Sequence, residues 1–355
     1  LYGISLVMVW MLISKKTINQ SIVFSFVGFA LFVLILHFVF DTFRWQLYSL
    51  YLAMFVFGIL ILIKITLISF KSIIKKIMIS LMSGAIIISV IAVLVFPIFE
   101  MPIPNGDYMI GTESFVIEDN SRNELYSIED TDFRKTKIQM WYPAESVEGY
   151  ELAPWLEDGK VVSRALAKDM SLPSFVLDHT VSVMSNSYLD APLSDSLNEY
   201  PVVIISHGWR GFRNLHTDFA EELASQGYIV VGIDHSYGSV ATVFSDDEIA
   251  YLNLEALPPR ETTPDFLDYA NQLVNTYASD ITVTLNYLEE INNDDTSRFL
   301  GKLDLTHIGL LGHSTGGGAD VAVALNDDRI DAVIGLDAWV EPIEDIEIEK
   351  GLEIP

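Results

Sequence analysis

Cysteine is absent from all 355 positions, which excludes a disulfide framework and a thiolate metal site. No H-E-x-x-H and no paired-histidine spacing offers zinc an alternative, and no G-x-G-x-x-G suggests a dinucleotide. No metal and no cofactor is therefore expected. Basic residues are scarce and unevenly placed. Seven of the 21 Lys and Arg stand before position 101, as do two of the 48 Asp and Glu (Asp41 and Glu100). Residues 101–355 thus hold 14 bases against 46 acids, a net charge of −32. Such a field repels nucleic acid, which binds through phosphate neutralisation. It also argues against docking on anionic lipid through a basic patch. Internal repeats and low-complexity segments are missing too.

What the first hundred residues have in abundance is apolar length. Four stretches run over 1–13, 21–40, 47–70 and 77–99. About 20 apolar residues are needed to cross a bilayer as a helix, and the last three meet that length. The first reads as the tail of a longer span. Repetition of the pattern argues against a cleaved signal peptide. The loops after the first and third spans are basic (Lys15, Lys16, Lys71, Lys75, Lys76), whereas the loop after the second is nearly neutral. The positive-inside rule then predicts that residues 101 onward lie outside the cytoplasm. His37 stands alone in the second span, where a helix–helix hydrogen bond is expected in preference to a proton relay.

Residues 101–355 read as one acidic α/β domain. "KTKIQMWYPA" is a strand, and helical patterns fall near 161–170 and 174–186. "YPVVIISHG", "YIVVGIDH", "THIGLLGHS" and "IDAVIGLDAW" are short, nearly continuous apolar runs, the pattern of strands buried on both faces. Helical segments at 217–227, 266–291 and 316–326 separate them, and the loop-rich stretch 237–265 contains "LPPRETTPD", which should be irregular. Strand and helix in alternation predict a doubly wound, mostly parallel sheet.

Gly312-His313-Ser314-Thr315-Gly316 fits G-x-S-x-G between a strand and a helix, the setting of a nucleophile elbow. A glycine turn holding phosphate at a helix N-terminus is the alternative, but no P-loop lysine follows. A nucleophile needs oxyanion donors, each worth about 3 kcal/mol of barrier. The backbone amides of Thr315 and of Trp209, in the loop "SHGWRGFRN", are placed for that role. In the chain order of this fold the acid follows the serine, and Asp337 ends the next strand. Asp320 and Asp331 are expected to be solvated. No histidine follows Asp337. Of the seven present, His207 belongs to the oxyanion loop, His313 flanks the serine, and His235 is a candidate wall residue. His179, His216 and His307 read as surface or structural.

"YPVVIISHGWRGFRNLHTDFAEELASQGYIVVGIDH", "IGLLGHSTGGG" and "GLDAW" together resemble the platelet-activating factor acetylhydrolase family of the plasma (isoform II) type. "SNSYLDAPLS" and "IQMWYPA" are similar to segments of its bacterial members. The resemblance implies an α/β-hydrolase fold over roughly 105–355. It also implies metal-independent serine esterase chemistry on short-chain or oxidised acyl esters of phospholipids. Carried over by position, Ser314 is the nucleophile, Asp337 the acid, and the Trp209 and Thr315 amides the oxyanion hole. Two departures stand out: the family's histidine would lie beyond Pro355, and the four-span region is not a feature of the plasma enzyme. The expectation is a multi-span region at 1–100 and a catalytic domain at 101–355, cut short at its C-terminus. The partners expected are an ester or phospholipid substrate and a membrane, without nucleic acid. Rival readings are an esterase, lipase or polyester hydrolase acting on other esters, and a catalytically silent binding module.

Overall fold

The computed structural model describes residues 1–14, 18–41, 44–65, 72–127 and 132–343. Two compact units result, one of 1–99 with 175–182, the other holding the rest.

The first unit is helical: α1 (Tyr2–Ile13), α2 (Gln20–Phe40), α3 (Tyr48–Ile65) and α4 (Ser72–Val95). Asn19 starts α2 by accepting the Ser21 amide on its side chain at 2.8 Å. These helices lack a polar face. Leu12, Leu50 and Phe57 are buried between them, while Phe29, Phe32, Ile35 and Val39 of α2 are more than half exposed. A helix apolar all round is suited to lipid or to a large core. Three spans, Gln20–Phe40, Trp45–Ile63 and Lys76–Val95, are long and apolar enough to cross a membrane. Several polar side chains inside are hydrogen-bonded, among them Tyr2 and Ser89, whose hydroxyls lie 2.8 Å apart. His37 Nε2 lies 2.7 Å from the Tyr51 hydroxyl, linking α2 to α3. Its Nδ1 has a carboxylate neighbour that the sequence reading missed, Asp41 one turn on, at 3.2 Å. Residues 15–17 and 66–71, which include Lys15, Lys16 and Lys71, lie outside the described residues.

The second unit is built on an eight-stranded sheet. Its strands are β1 (Met109–Asn123), β2 (Phe133–Ala144), β3 (Leu152–Pro154), β4 (Met184–Leu189), β5 (Tyr200–Ser206), β6 (Ile229–Asp234), β9 (Leu303–His313) and β10 (Ala332–Leu336). Their order is β10-β9-β5-β6-β2-β1-β4-β3, with β10, β9, β5 and β6 mutually parallel. A separate hairpin, β7 (Ala241–Ser245) and β8 (Glu248–Tyr251), lies within the stretch read as loop-rich. The helical pattern expected over 174–186 is also corrected. A 3-10 segment, Ser174–Ser182, gives way to β4.

Period-two side chains divide the core between the two faces of the sheet. Ile138, Met140, Tyr142, Val202, Ile204, Val231 and Ile233 pack against the long helix α7 (Phe266–Asn293) and α8 (Thr315–Ala324). Trp141, Ile205, Val230 and Leu311 point the other way, toward Ala220 and Ala224 of α6 (Thr217–Ser225). The helix α5 (Gly159–Asp169) buries Val162 and Ala167 on its inner face. Every residue of β6 is buried, which explains its unbroken apolar run.

Candidate active site

Parallel strands bring their carboxyl ends to one edge of the sheet, and every candidate residue sits there. Ser206 at the end of β5 pairs with Gly312 of β9, and His313 pairs with Leu336 of β10. In that register Ser314 and Asp337 are the next residues out on adjacent strands.

Ser314 occupies the corner between β9 and α8 with φ 52° and ψ −118°. A non-glycine residue there carries strain of order 1–3 kcal/mol, kept only where its surroundings fix it. Two bonds do so. The Ser314 N–H donates to Leu336 O at 3.1 Å, and Trp339 N–H donates to Ser314 O at 2.8 Å. The chain needs glycine before the corner, because a Cβ on Gly312 would fall 2.3 Å from Asp320 Oδ2 and 2.6 Å from Gly317 N. Thr315 begins α8, so its N–H is among the first-turn amides without a helical acceptor. Asp337 is exposed, with φ 51°.

The loop after β5 runs directly against the serine. A Cβ on Gly208 would lie 3.0 Å from Ser314 Cβ and 2.8 Å from His313 Nδ1. Within the loop, Arg210 N–H donates to Gly238 O and Gly211 N–H to Gly208 O, both at 2.9 Å. The Trp209 amide has no backbone acceptor among the described residues. Arg213 ties down the far end. Its N–H donates to Asp234 Oδ1 at 2.7 Å, and its guanidinium pairs with Asp234, Glu157 and Asp158. The candidate residues Ser314, Thr315, Trp209 and Asp337 are therefore gathered at one edge.

The histidines fall into different places. His207 is fully buried, with Nδ1 2.7 Å from Gly208 O and Nε2 2.8 Å from Ser239 Oγ. Burial, reinforced by the neighbouring His235, holds its pKa well below the ordinary value, so the ring is neutral. A carbonyl can only accept, which puts the single proton on Nδ1. Nε2 then accepts from the Ser239 hydroxyl and from the His235 N–H at 3.3 Å. His235, read as a site wall, is instead interior. It stacks on Tyr277 at 3.8 Å and meets Asp280 Oδ2 at 3.1 Å. Burial lowers its pKa, with the Asp280 bond opposing. Asp280 is in turn paired with Arg134 at 2.6 Å, which outweighs burial and holds its carboxyl far below the usual range. His313 and His307 are exposed, whereas His179 is buried. Asp320, expected in solvent, is completely buried beneath the elbow. Burial pushes its pKa well above the ordinary value, with the Ser206 hydroxyl only partly opposing. Asp331 is exposed as expected and accepts the Ile308 amide at 2.9 Å. Among the described residues no cluster of three metal-ligating side chains occurs.

Known proteins resemble this chain over more than half of its length. The platelet-activating factor acetylhydrolase of dog (Canis lupus familiaris) is 25% identical over 272 residues, covering 69% of this chain and 56% of its own length. That of chicken (Gallus gallus) is 24% identical over 285 residues, covering 72% and 64%. The chain thus spans little more than half the length of such relatives. A solved ferulic acid esterase from Streptomyces cinnamoneus superposes with a TM-score of 0.52 at 24% identity, over 65% of this chain and 60% of that one. This likeness establishes the α/β-hydrolase fold for the second unit. The family of platelet-activating factor acetylhydrolase, isoform II, matches residues 94–352, and the chain belongs to it.

Proposed function

We propose that this chain supplies the nucleophile and acid of a membrane-anchored serine ester hydrolase. Its substrates are short-chain or oxidised acyl esters of phospholipids. Ser314 Oγ attacks the ester carbonyl carbon, and an imidazole takes its proton. His207 and His235 do not serve, being committed in the interior. The amides of Trp209 and Thr315 receive the charge that develops on the carbonyl oxygen. Asp337 orients the imidazole, which then protonates the departing alkoxide. Water attacks the resulting acyl-enzyme by the same route and returns Ser314 to its hydroxyl form.

The observation that carries this reading is the backbone of Ser314, strained at a strand-to-helix corner in a member of an acetylhydrolase family. Anchoring rests on three helices of membrane-spanning length and apolarity. A fluorophosphonate probe tests it on the whole protein in its membrane. Wild type should label and Ser314→Ala should not; an unlabelled wild type would favour the silent binding module.

A further inference from the structure

The second unit is strongly acidic, yet one of its clefts is not. Four of its 14 bases, Lys160, Arg164, Lys168 and Arg210, line a single cavity of about 820 Å³, and one of its 46 acids, Asp169, joins them. The first three recur every fourth residue on α5, so they share one face of that helix. Arg210 reaches the cavity from the loop after β5, next in the chain to Trp209, and pairs with Asp169 at 3.3 Å. Among the described residues Lys160 and Lys168 form no ion pair. Leu172, Val240 and Leu252 give the cavity apolar wall as well. Its volume suits a small organic molecule.

In a domain of net −32, gathering Lys160 and Lys168 beside Arg210 around a cavity with one carboxylate needs a reason. Charge complementarity points to an anion, and apolar wall beside the cations points to one that carries hydrocarbon. Arg210 has φ 67°, a strained conformation of the kind that persists where surroundings fix a functional loop. That residue connects the cavity to the peptide proposed to hold the oxyanion.

We propose that this cleft binds the phosphodiester of the ester substrate, with Lys160, Lys168 and Arg210 as its specificity-determining cations. The assignment rests on the ester-hydrolase reading for its purpose, though not for its geometry. A neutral ester gains nothing from the cleft; an ester bearing a phosphodiester within reach of the acyl group is selected by it.

The test compares two soluble, monomeric esters, dibutyrylglycerophosphomethanol and glyceryl tributyrate, on the whole protein. The readout is the ratio of their kcat/KM values. In Lys160→Gln/Lys168→Gln this ratio should fall about tenfold or more, whereas Lys160→Arg/Lys168→Arg and the remote Arg329→Gln should retain it. Raising salt should lower the wild-type ratio. A ratio within twofold of wild type in the Gln pair, with circular dichroism unchanged, overturns the proposal. Calorimetric binding of the phosphodiester ester separates the two readings. If neither ester is hydrolysed but binding weakens tenfold in the Gln pair, the cleft stands and the hydrolase reading falls. Equal binding in both proteins overturns the cleft. Should the Gln pair misfold, Lys168→Met alone supplies the same comparison.

Discussion

His207 donates its Nδ1 proton to the carbonyl oxygen of Gly208, the residue that follows it, at 2.7 Å. That carbonyl also accepts the Gly211 amide. In a planar trans peptide the C=O and N–H point in opposite directions. With its oxygen turned inward to His207 and Gly211, the Gly208–Trp209 peptide presents the Trp209 N–H on its opposite side. His207 is thus a positioning residue for the proposed oxyanion donor. His207→Ala should lower kcat on a short-chain ester by about 10² with KM little changed, the order expected for one lost oxyanion donor. His207→Asn, whose amide can occupy the place of Nδ1, should recover most of that loss. A merely structural role would instead lower the thermal midpoint without separating kcat from KM.

Strain at Ser314 makes its two small replacements diverge. Ser314→Ala and Ser314→Gly should both lose fluorophosphonate labelling and kcat by a factor on the order of 10⁶. Glycine alone relaxes φ 52°, so Ser314→Gly should be about 1 kcal/mol more stable than Ser314→Ala. Urea titration of the two variants reads that difference. Equal stabilities would mean that the corner is not held against a steric preference.

Buried titratable groups around the elbow give the unit opposing pH dependences. Asp320 is raised in the fold, so above the ordinary carboxyl pKa the unfolded chain binds fewer protons than the native one. Stability from this group is therefore present at acid pH and lost as pH rises toward the folded value. His207, His216 and His235 are lowered. Each binds its proton less readily in the fold than when unfolded, so their contribution is lost as pH falls below about 6.5. Asp320→Asn should be more stable than wild type at pH 8, and the margin should shrink toward pH 5. Chemical denaturation at the two values checks it, and a margin independent of pH would contradict a protonated Asp320.

Loop charge predicts the side of the membrane. With Lys15, Lys16 and the lysines at 71, 75 and 76 cytoplasmic, protease added to spheroplasts should digest the region from residue 101 onward. Protection until lysis would reverse the orientation.

Much of the sheet was legible because β5, β6 and β9 are covered on both faces, leaving apolar runs bounded by glycine. β1 was missed. Its sequence, MIGTESFVIEDNSRN, alternates burial only in part and ends in exposed polar residues. The hairpin β7–β8 has strands of five and four residues, too short for a period to register. The elbow could be read from local punctuation, since glycines, strand and helix adjoin Ser314 in the chain. Asp320 could not. α8 is buried at Thr315 through Asp320 and again at Ala322 and Val323, so no solvent face existed for an acidic residue to mark. The His207–Ser239–His235 contacts and the closure of Arg210 over α5 join distant segments, and no local pattern encodes such proximity.

The elbow is bonded on both its amide and its carbonyl to the exit of β10, which stands at one end of the described strand order and whose Ile334 is 58% exposed. Edge strands open by local fluctuation at lower free energy than a core strand. The serine's conformation is therefore tied to that of β10, and it should relax whenever this strand frays. In native-state hydrogen exchange the amides of Ser314 and Trp339 should open together with those of β10, ahead of Val230 and Val231 in β6. Anything that clamps β10, whether another strand, a partner chain or a bound ligand, would then hold the nucleophile in register as a secondary effect of holding the edge.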